Sequence, residues 1–361
     1  MKILVVRFRQ IGDAILASVI CDTLKKSFPD SQVDYVLYDF VAPIFENHPY
    51  IDNVISLDKE TRDNPLKYMK FVWDISKANY DIVIDIMSTP KSEVFTFFSR
   101  KAKFKIGRKK KKRGYTYTHK ISEPKDALDK CHKFLKMLQP LEDAGYKLNY
   151  SSEFVISITD EEKARLKNRM IEAGVDFSKK VAVFAINSRR PEKVYPKQEM
   201  KELIKLFLEK NGDYQIVFFY SPDEKEYAIN MYNELVDEDI NKEYENSYSN
   251  RVFSNISTKN IRELAMLIKN CDVFVGNEGG PRHLSQGLDV PSYAIFSPGS
   301  RKKDWLPYNN SKHLAIEPYD LVLERKLTED EFKTLSYEDK YKLITPEKVI
   351  ERLENFLKGA E

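Results

Sequence analysis

The chain has 361 residues, 42% hydrophobic and 12% aromatic, which fits two domains at about 100–200 residues each and is too apolar for a disordered protein. Lysine and arginine total 59 against 56 aspartates and glutamates, and a net charge of +3 excludes a protein that coats nucleic acid with its whole surface. No stretch reaches the ~18–20 apolar residues of a membrane span.

The opening MKILVVRFRQIGDAIL has an apolar run that is broken at Arg7 and Arg9, so it reads as a buried first strand rather than a signal peptide. Residues 3–6 predict that strand, and residues 13–28 follow with Ile15, Val19, Leu24 and Phe28 roughly in helical phase. Further strands are predicted at 33–38, 54–57 and 81–86, with a helix over 66–78. A second series begins near Val181, with strands at 181–186, 215–220, 251–256, 273–276 and 292–296. Helices at 197–210, 223–235, 261–269 and 281–287 separate them. Strands alternating with helices imply parallel pairing through βαβ crossovers, and near-continuous apolar strands imply cover on both faces. Between the series runs a polar helical stretch, 160–173, ending at Gly174, which sets the expected domains at 1–170 and 171–325. A tail, 326–361, closes with Thr345-Pro346-Glu347 and with Val349, Leu353 and Leu357 at four-residue spacing. The fold class is α/β: two Rossmann-like sheets facing a cleft.

The charge is unevenly spread. Residues 100–114 hold ten basic side chains and no acid, so the rest of the chain is net negative, 49 against 56. The run of Lys109, Lys110, Lys111, Lys112 and Arg113 is either a solvated loop or a docking site for an anionic glycolipid or an acidic membrane surface. No recognised nucleic-acid module surrounds it.

No Gly-x-Gly-x-x-Gly follows the first strand and no Gly-x-x-x-x-Gly-Lys-Ser/Thr occurs, which disfavours a dinucleotide dehydrogenase and a P-loop kinase. Cys21, Cys131 and Cys271 form no Cys-x-x-Cys pair and fit a reducing, cytoplasmic setting. Three stretches at strand ends remain, where open α/β sheets place their ligands. In Arg7-Phe-Arg-Gln-Ile-Gly-Asp13, which includes Arg9 and Gln10, Asp13 sits at the mouth of the first helix, as a helix-start acid or as a functional carboxylate. The loop from Asn187 to Pro196 carries Ser188 and three cations, Arg189, Arg190 and Lys193, a composition suited to phosphate. In Gly276-Asn-Glu278-Gly279-Gly280-Pro281-Arg-His283, paired glycines allow close backbone approach and Pro281 opens a helix whose free N–H groups suit an anion.

With these stretches together the sequence resembles glycosyltransferase family 9, the bacterial ADP-heptose:lipopolysaccharide heptosyltransferases. Smaller pieces fit as well: Phe45-Glu-Asn-His-Pro-Tyr-Ile-Asp-Asn-Val54, Lys105-Ile-Gly107, His132, Phe296-Ser-Pro-Gly299 and Trp305-Leu-Pro-Tyr308. The resemblance implies a GT-B fold, with the acceptor held by the amino-terminal domain and the nucleotide sugar by the carboxyl-terminal one. It implies that the closing helix packs back on the amino-terminal domain. By position, Asp13 matches the family's catalytic base. Lys193, followed by Val194-Tyr195-Pro196, matches its Lys-x-aromatic-Pro, and Ser188 matches a hydroxyl beside the same diphosphate. The turn from Gly276 to His283 resembles Gly-Asn-Asp-Ser/Thr-Gly-Pro-x-His, so Glu278, Gly279, Gly280, Pro281 and His283 are the implied donor-binding residues. Glu278 and Gly279 depart from that pattern, by one methylene and by a lost hydroxyl.

The reaction so implied is inverting, metal-independent transfer of a sugar from a nucleotide-linked donor, ADP-heptose first among them, with no further cofactor. The implied acceptor is a lipopolysaccharide core or related anionic glycolipid, met by Arg9, Gln10 and the run 109–113. That places the protein in the cytoplasm, in peripheral contact with the inner membrane. A non-catalytic nucleotide-sugar or glycan-binding relative is the alternative that the Glu278-Gly279 change raises.

Overall fold

The computed structural model describes residues 1–124, 127–151, 153–238, 247–322, 324–325 and 327–360. It divides into two units, Met1–Ser157 and Ile158–Glu361.

The first unit is built on six parallel strands: β1 (Lys2–Val6), β2 (Gln32–Tyr38), β3 (Asn53–Leu57), β4 (Ile82–Asp85), β5 (Phe104–Arg108) and β6 (His119–Ile121). Their order is β3-β2-β1-β4-β5-β6, so the winding direction reverses between β1 and β4. Ile3, Leu4, Val5 and Val6 are wholly buried, as expected of a strand covered on both faces. The single helix expected at 13–28 is two, α1 (Ile11–Ala17) and α2 (Val19–Ser27). They part at Ser18, whose hydroxyl donates to the Ile15 carbonyl at 2.8 Å and competes with the helical ladder. Asn64 and Thr89 cap α3 (Pro65–Ser76) and α4 (Pro90–Phe98), each with proline in the first turn. Packed on one face of this sheet are Leu4, Val6, Val36, Val72, Val83 and Phe95. A short helix, α5 (Lys130–Leu135), begins under the Asp129 cap.

The second unit repeats the plan with β7 (Lys180–Ala185), β8 (Tyr214–Phe219), β9 (Val252–Phe253), β10 (Val273–Asn277), β11 (Ser292–Ile295) and β12 (His313–Ile316). The order β12-β11-β10-β7-β8-β9 reverses direction between β7 and β10. The division lies earlier than the expected residue 170, because the polar helix α6 (Asp160–Glu172) is bound into the second unit. Glu162 of α6 meets Arg262 at 2.6 Å and Arg169 meets Glu263 at 3.0 Å, and both partners lie on the helix Ile261–Lys269. Further helices of this unit are α7 (Lys197–Lys210), α8 (Lys225–Asp237), α9 (Ile261–Lys269), α10 (Gly280–Gly287) and α11 (Pro346–Ala360). The resemblance implied packing of the closing helix on the amino-terminal domain. Its buried face, Val349, Ile350, Leu353 and Phe356, belongs instead to the second unit's core, where α11 lies on α7 and β11. The apolar stripe that α11 carries is matched by Leu203, Ile204 and Phe207 of α7.

Candidate active site

In a doubly wound sheet the carboxyl ends of the two strands flanking the reversal open a crevice, because their crossovers leave on opposite faces. In the first unit those strands are β1 and β4, paired with Val6 opposite Asp85. Asp13 lies in the first turn of α1, directly after β1, while Gln10 holds the N-cap position without a side-chain cap bond. Asp13 is therefore not a capping residue. Its carboxylate accepts from Arg7 Nη2 at 2.7 Å, and the Arg7 side chain is only 8% exposed against 29% for Asp13. The guanidinium is held from behind: its carbon lies 5.1 Å from the Phe134 ring centre, and Nη1 donates to the Ile86 carbonyl at 3.4 Å. Arg108 and Lys130 also feel the Asp13 charge; burial pushes both below their ordinary range, and the Asp13 carboxylate opposes that fall. Arg7 is thus paired directly with the carboxylate, and Arg108 and Lys130 lie within the range of its charge.

The β4 corner is organised by Asp85, wholly buried at the strand end. It accepts from Tyr117 Oη at 2.6 Å and from the backbone N–H groups of Met87 and Ser88 at 2.9 Å each. Burial pushes its carboxyl up to about 6, against these hydrogen bonds, which pull it down. Ser88, at φ 50°, turns its hydroxyl oxygen to the N–H of Arg108 at 2.7 Å and so ties β4 to the end of β5. Arg9 and Gln10 are exposed on the β1–α1 corner. Lys109, Lys110, Lys111, Lys112 and Arg113 are exposed in a turn closed by a bridge between Lys110 and Arg113. That turn follows β5 and so leaves the same edge of the sheet as the β1–α1 corner, with β4 between the two strands.

In the second unit the reversal lies between β7 and β10. Gly276 of β10 stands opposite Ala185 of β7 at φ 132°, and a Cβ there would come to 2.4 Å from the Ala185 oxygen, so only glycine allows this approach. Asn277 then braces the two corners, Nδ2 donating to the Ala185 carbonyl at 3.1 Å and Oδ1 accepting from Tyr195 N–H at 2.8 Å. Glu278, 4% exposed, accepts from Lys193 Nζ at 2.7 Å on one oxygen and from Ser297 Oγ at 2.6 Å on the other. Lys193 also reaches Ser300 Oγ at 3.3 Å. Loops after β7, β10 and β11 are therefore joined through one ammonium and one carboxylate.

Gly279 caps α10 at φ 145° with no side-chain cap, and Pro281 occupies the first turn, leaving the helix start open to an anion. Ser188 is half-buried beside this corner, its Oγ 3.4 Å from the Arg190 N–H. His283 is buried. Its ring lies 5.8 Å from that of Trp305 and its Nδ1 meets Arg282, so the side chain is engaged in holding α10 in place. Arg282 in turn reaches Gln286 at 2.9 Å and the Trp305 carbonyl at 2.9 Å.

Sequence reasoning placed Asp13, Ser188, Lys193 and the segment from Glu278 to His283 at strand ends, and the structure collects them at the two reversal points of their own sheets. It missed Asp85 and Ser300, and it gave no role of their own to Asn277 and Ser297, which lie within the stretches Gly276–His283 and Phe296–Gly299. Asp85 too had a visible signal, an acid closing the apolar stretch Ile82-Val-Ile-Asp85. Chemically, the first corner offers a positioned carboxylate able to take a proton. The second offers a lysine and an open helix start suited to a polyanion. Among the described residues no three His, Cys, Asp or Glu side chains cluster as metal ligands.

Residues 68–332 match the model of "Glycosyltransferase family 9 (heptosyltransferase)". The chain is 24% identical to lipopolysaccharide heptosyltransferase 1 of Campylobacter coli over 316 residues, which is 82% of this chain and 84% of that one. It is 21% identical to lipopolysaccharide heptosyltransferase 3 of Escherichia coli over 309 residues, 83% of this chain and 84% of that one. Among solved structures it is similar to a family 9 glycosyl transferase of Veillonella parvula, with a TM-score of 0.78 at 20% identity over 99% of this chain and 97% of that one. E. coli ADP-heptose lps heptosyltransferase II gives a TM-score of 0.73 at 19% identity over 99% of both chains. The architecture is that of the GT-B heptosyltransferases, two parallel six-stranded sheets. With the model spanning most of its length, the chain belongs to glycosyltransferase family 9.

Proposed function

We propose that the protein is an inverting, metal-independent glycosyltransferase that moves heptose from ADP-heptose to a lipopolysaccharide core or related anionic glycolipid. The acceptor is met at the cytoplasmic face of the inner membrane. The observation that carries this reading is the pairing of Arg7 with Asp13 at the reversal point of the first sheet, which presents a fixed carboxylate where a ligand enters. Among the described residues no helix is long and apolar enough to cross a membrane, in keeping with peripheral access to a lipid-linked acceptor.

In this mechanism the acceptor hydroxyl attacks the anomeric carbon of the donor from the face opposite the nucleotide. Its proton passes to the Asp13 carboxylate as the C–O bond forms. The sugar–phosphate bond breaks with its electron pair leaving on ADP. Arg7 fixes the direction of the carboxylate, while Lys193, Ser188 and the N–H groups at the start of α10 stabilise charge on the departing diphosphate. Arg9, Gln10 and the run 109–113 receive the anionic acceptor.

The name of one structural neighbour supports the donor, since E. coli heptosyltransferase WaaC with ADP-2-deoxy-2-fluoro heptose gives a TM-score of 0.67 at 17% identity. The test is turnover with a panel of nucleotide sugars led by ADP-heptose, run with a heptose-accepting core glycolipid in the presence and absence of EDTA. Acceptor-dependent ADP release that survives EDTA, with a product of inverted anomeric configuration by NMR, is expected. Binding of ADP-heptose without turnover under any condition would make the protein a non-catalytic relative, and turnover with a different nucleotide sugar would replace the donor.

A further inference from the structure

The segment 64–121 carries fifteen lysines and arginines against four acids, +11 in a chain whose net charge is +3, leaving −8 elsewhere. The same segment exposes apolar side chains that its core does not use. On α3, Leu66 is 83% exposed, Trp73 47% and Met69 41%, and their spacing of four and three residues sets them on one face, interleaved with the exposed Lys70 and Lys77. The acid of this helix, Asp74, is paired with Lys77 at 2.7 Å. On α4, Phe97 is 54% exposed; its ring meets Phe98 at 5.1 Å, and Phe98 meets Trp73 at 5.4 Å.

Two helices thus present one aromatic cluster. A recess of about 260 Å³ opens between Trp73 and Phe98, lined also by Lys77, Arg100 and Lys101. The chain just after the basic turn is fastened to α4: Gly114 N–H donates to Glu93 at 3.1 Å and the Thr96 and Thr116 hydroxyls meet at 2.5 Å. Between those two ties, Tyr115 is 83% exposed.

We propose that this face of the first unit docks on an anionic lipid bilayer, with Trp73 and Phe97 entering the headgroup region and Lys70, Lys77, Arg100 and Lys101 meeting lipid phosphates. The chemistry selects that occupant. Lysine is depleted from the centres of protein–protein interfaces, whereas lysines interleaved with tryptophan and phenylalanine suit a surface that is both anionic and partly apolar. Long lysine and arginine stems can lie along the apolar part while their charges stay at the phosphates. Attraction to the anionic surface falls off within a Debye length, so the aromatic side chains supply the part of the binding that salt does not remove. The inference builds on the proposed meeting with a lipid-linked acceptor but is read without any sugar nucleotide, so its failure leaves the transferase reading standing.

The test uses the full chain and sedimentation with vesicles of phosphatidylcholine alone or mixed with phosphatidylglycerol. Binding to the mixed vesicles only is expected, with the W73S/F97S variant partitioning about tenfold less. The chain has two tryptophans, Trp73 and Trp305, so a W305F variant reports on Trp73 alone. Its emission is expected to shift to the blue and to be quenched by brominated lipid chains, a readout that does not depend on how W73S/F97S folds. The proposal is overturned by equal binding to neutral vesicles, by an unmoved Trp73 emission, or by binding lost only when residues 109–113 become serine. It is equally overturned if Trp73 is buried in a lipid-free dimer, or if RNA rather than lipid moves its emission.

Discussion

Lys193 and Glu278, 85 positions apart in the chain, meet at 2.7 Å after β7 and β10, so the lysine proposed to receive the donor's diphosphate already has a carboxylate partner. A carboxylate that close opposes an incoming anion. Glu278→Gln keeps the shape of the contact with Ser297 and removes the charge. The expected result is ADP binding tightened by about threefold to tenfold, an ordinary magnitude for one like-charge contact at a partly buried site. Lys193→Ala is expected to lower kcat by about 10²–10³-fold, the usual cost of one preorganised stabiliser of leaving-group charge. Calorimetry with ADP and steady-state kinetics of both variants check the pair.

Asp13→Asn is expected to lower kcat by about 10²–10⁴-fold, the usual contribution of a general base. Binding of the nucleotide sugar should stay unchanged, because the nucleotide is assigned to the second unit. Arg7→Lys should lower kcat as well, since an ammonium cannot reach the Asp13 carboxylate and the Ile86 carbonyl from one planar fork. Donor titration beside turnover separates the two effects. A loss of donor affinity in Asp13→Asn equal to its loss of kcat would contradict the assignment.

The two glycines with the widest positive φ in the second corner differ in what surrounds them. Gly276→Ala drives a Cβ to 2.4 Å from a backbone oxygen that cannot move aside, at φ 132°. Destabilisation of more than about 3 kcal/mol is expected. Gly279→Ala meets nothing closer than Pro281 Cδ at 3.8 Å and carries only the strain of φ 145°, about 1–2 kcal/mol. Chemical denaturation of both variants should rank them in that order.

The second unit should weaken in acid through His313. Its ring, with Nδ1 3.0 Å from Ser292 Oγ, is pushed down to about 3 by burial and by the charges of Arg282 and Lys312, with Asp289 opposing. The unfolded chain takes up this proton near the ordinary histidine value of about 6.5, and the folded one does not. The stabilisation is therefore complete above that value and shrinks as pH falls, by roughly 1.4 kcal/mol per pH unit, or about 2 kcal/mol at pH 5. Denaturation at pH 7 and pH 5 should show this loss, and His313→Asn should flatten it.

How far the sequence discloses the structure depends on strand length and on surroundings. Helices 197–210 and 261–269 are found where expected, as Lys197–Lys210 and Ile261–Lys269, because both carry an amphipathic repeat with a legible start, Pro196 before the first and the Asn260 cap before the second. Strands β5 and β6 escaped notice because Phe104-Lys-Ile-Gly-Arg108 and His119-Lys-Ile121 are short and loaded with cations. β12, four residues after a polar loop, escaped for the same reason, and the strand expected at 251–256 contracts to Val252–Phe253. In the candidate site, residues within one motif were legible. Partners brought in from other strands, such as Asp85 on Tyr117 or Ser297 on Glu278, were not, since no local spacing encodes a neighbour that only sheet order creates.

Counted from β1 and from β7, both sheets are wound in the same sequence of strands, and each has one reversal point with its own corner of polar residues. Because proton acceptance and diphosphate binding are assigned to separately wound sheets, the two halves can be inherited as cassettes. A lineage can exchange its acceptor by altering loops before Ser157 while the nucleotide half drifts under a different constraint. Chimaeras joined at that position are thus a natural route to new sugar linkages.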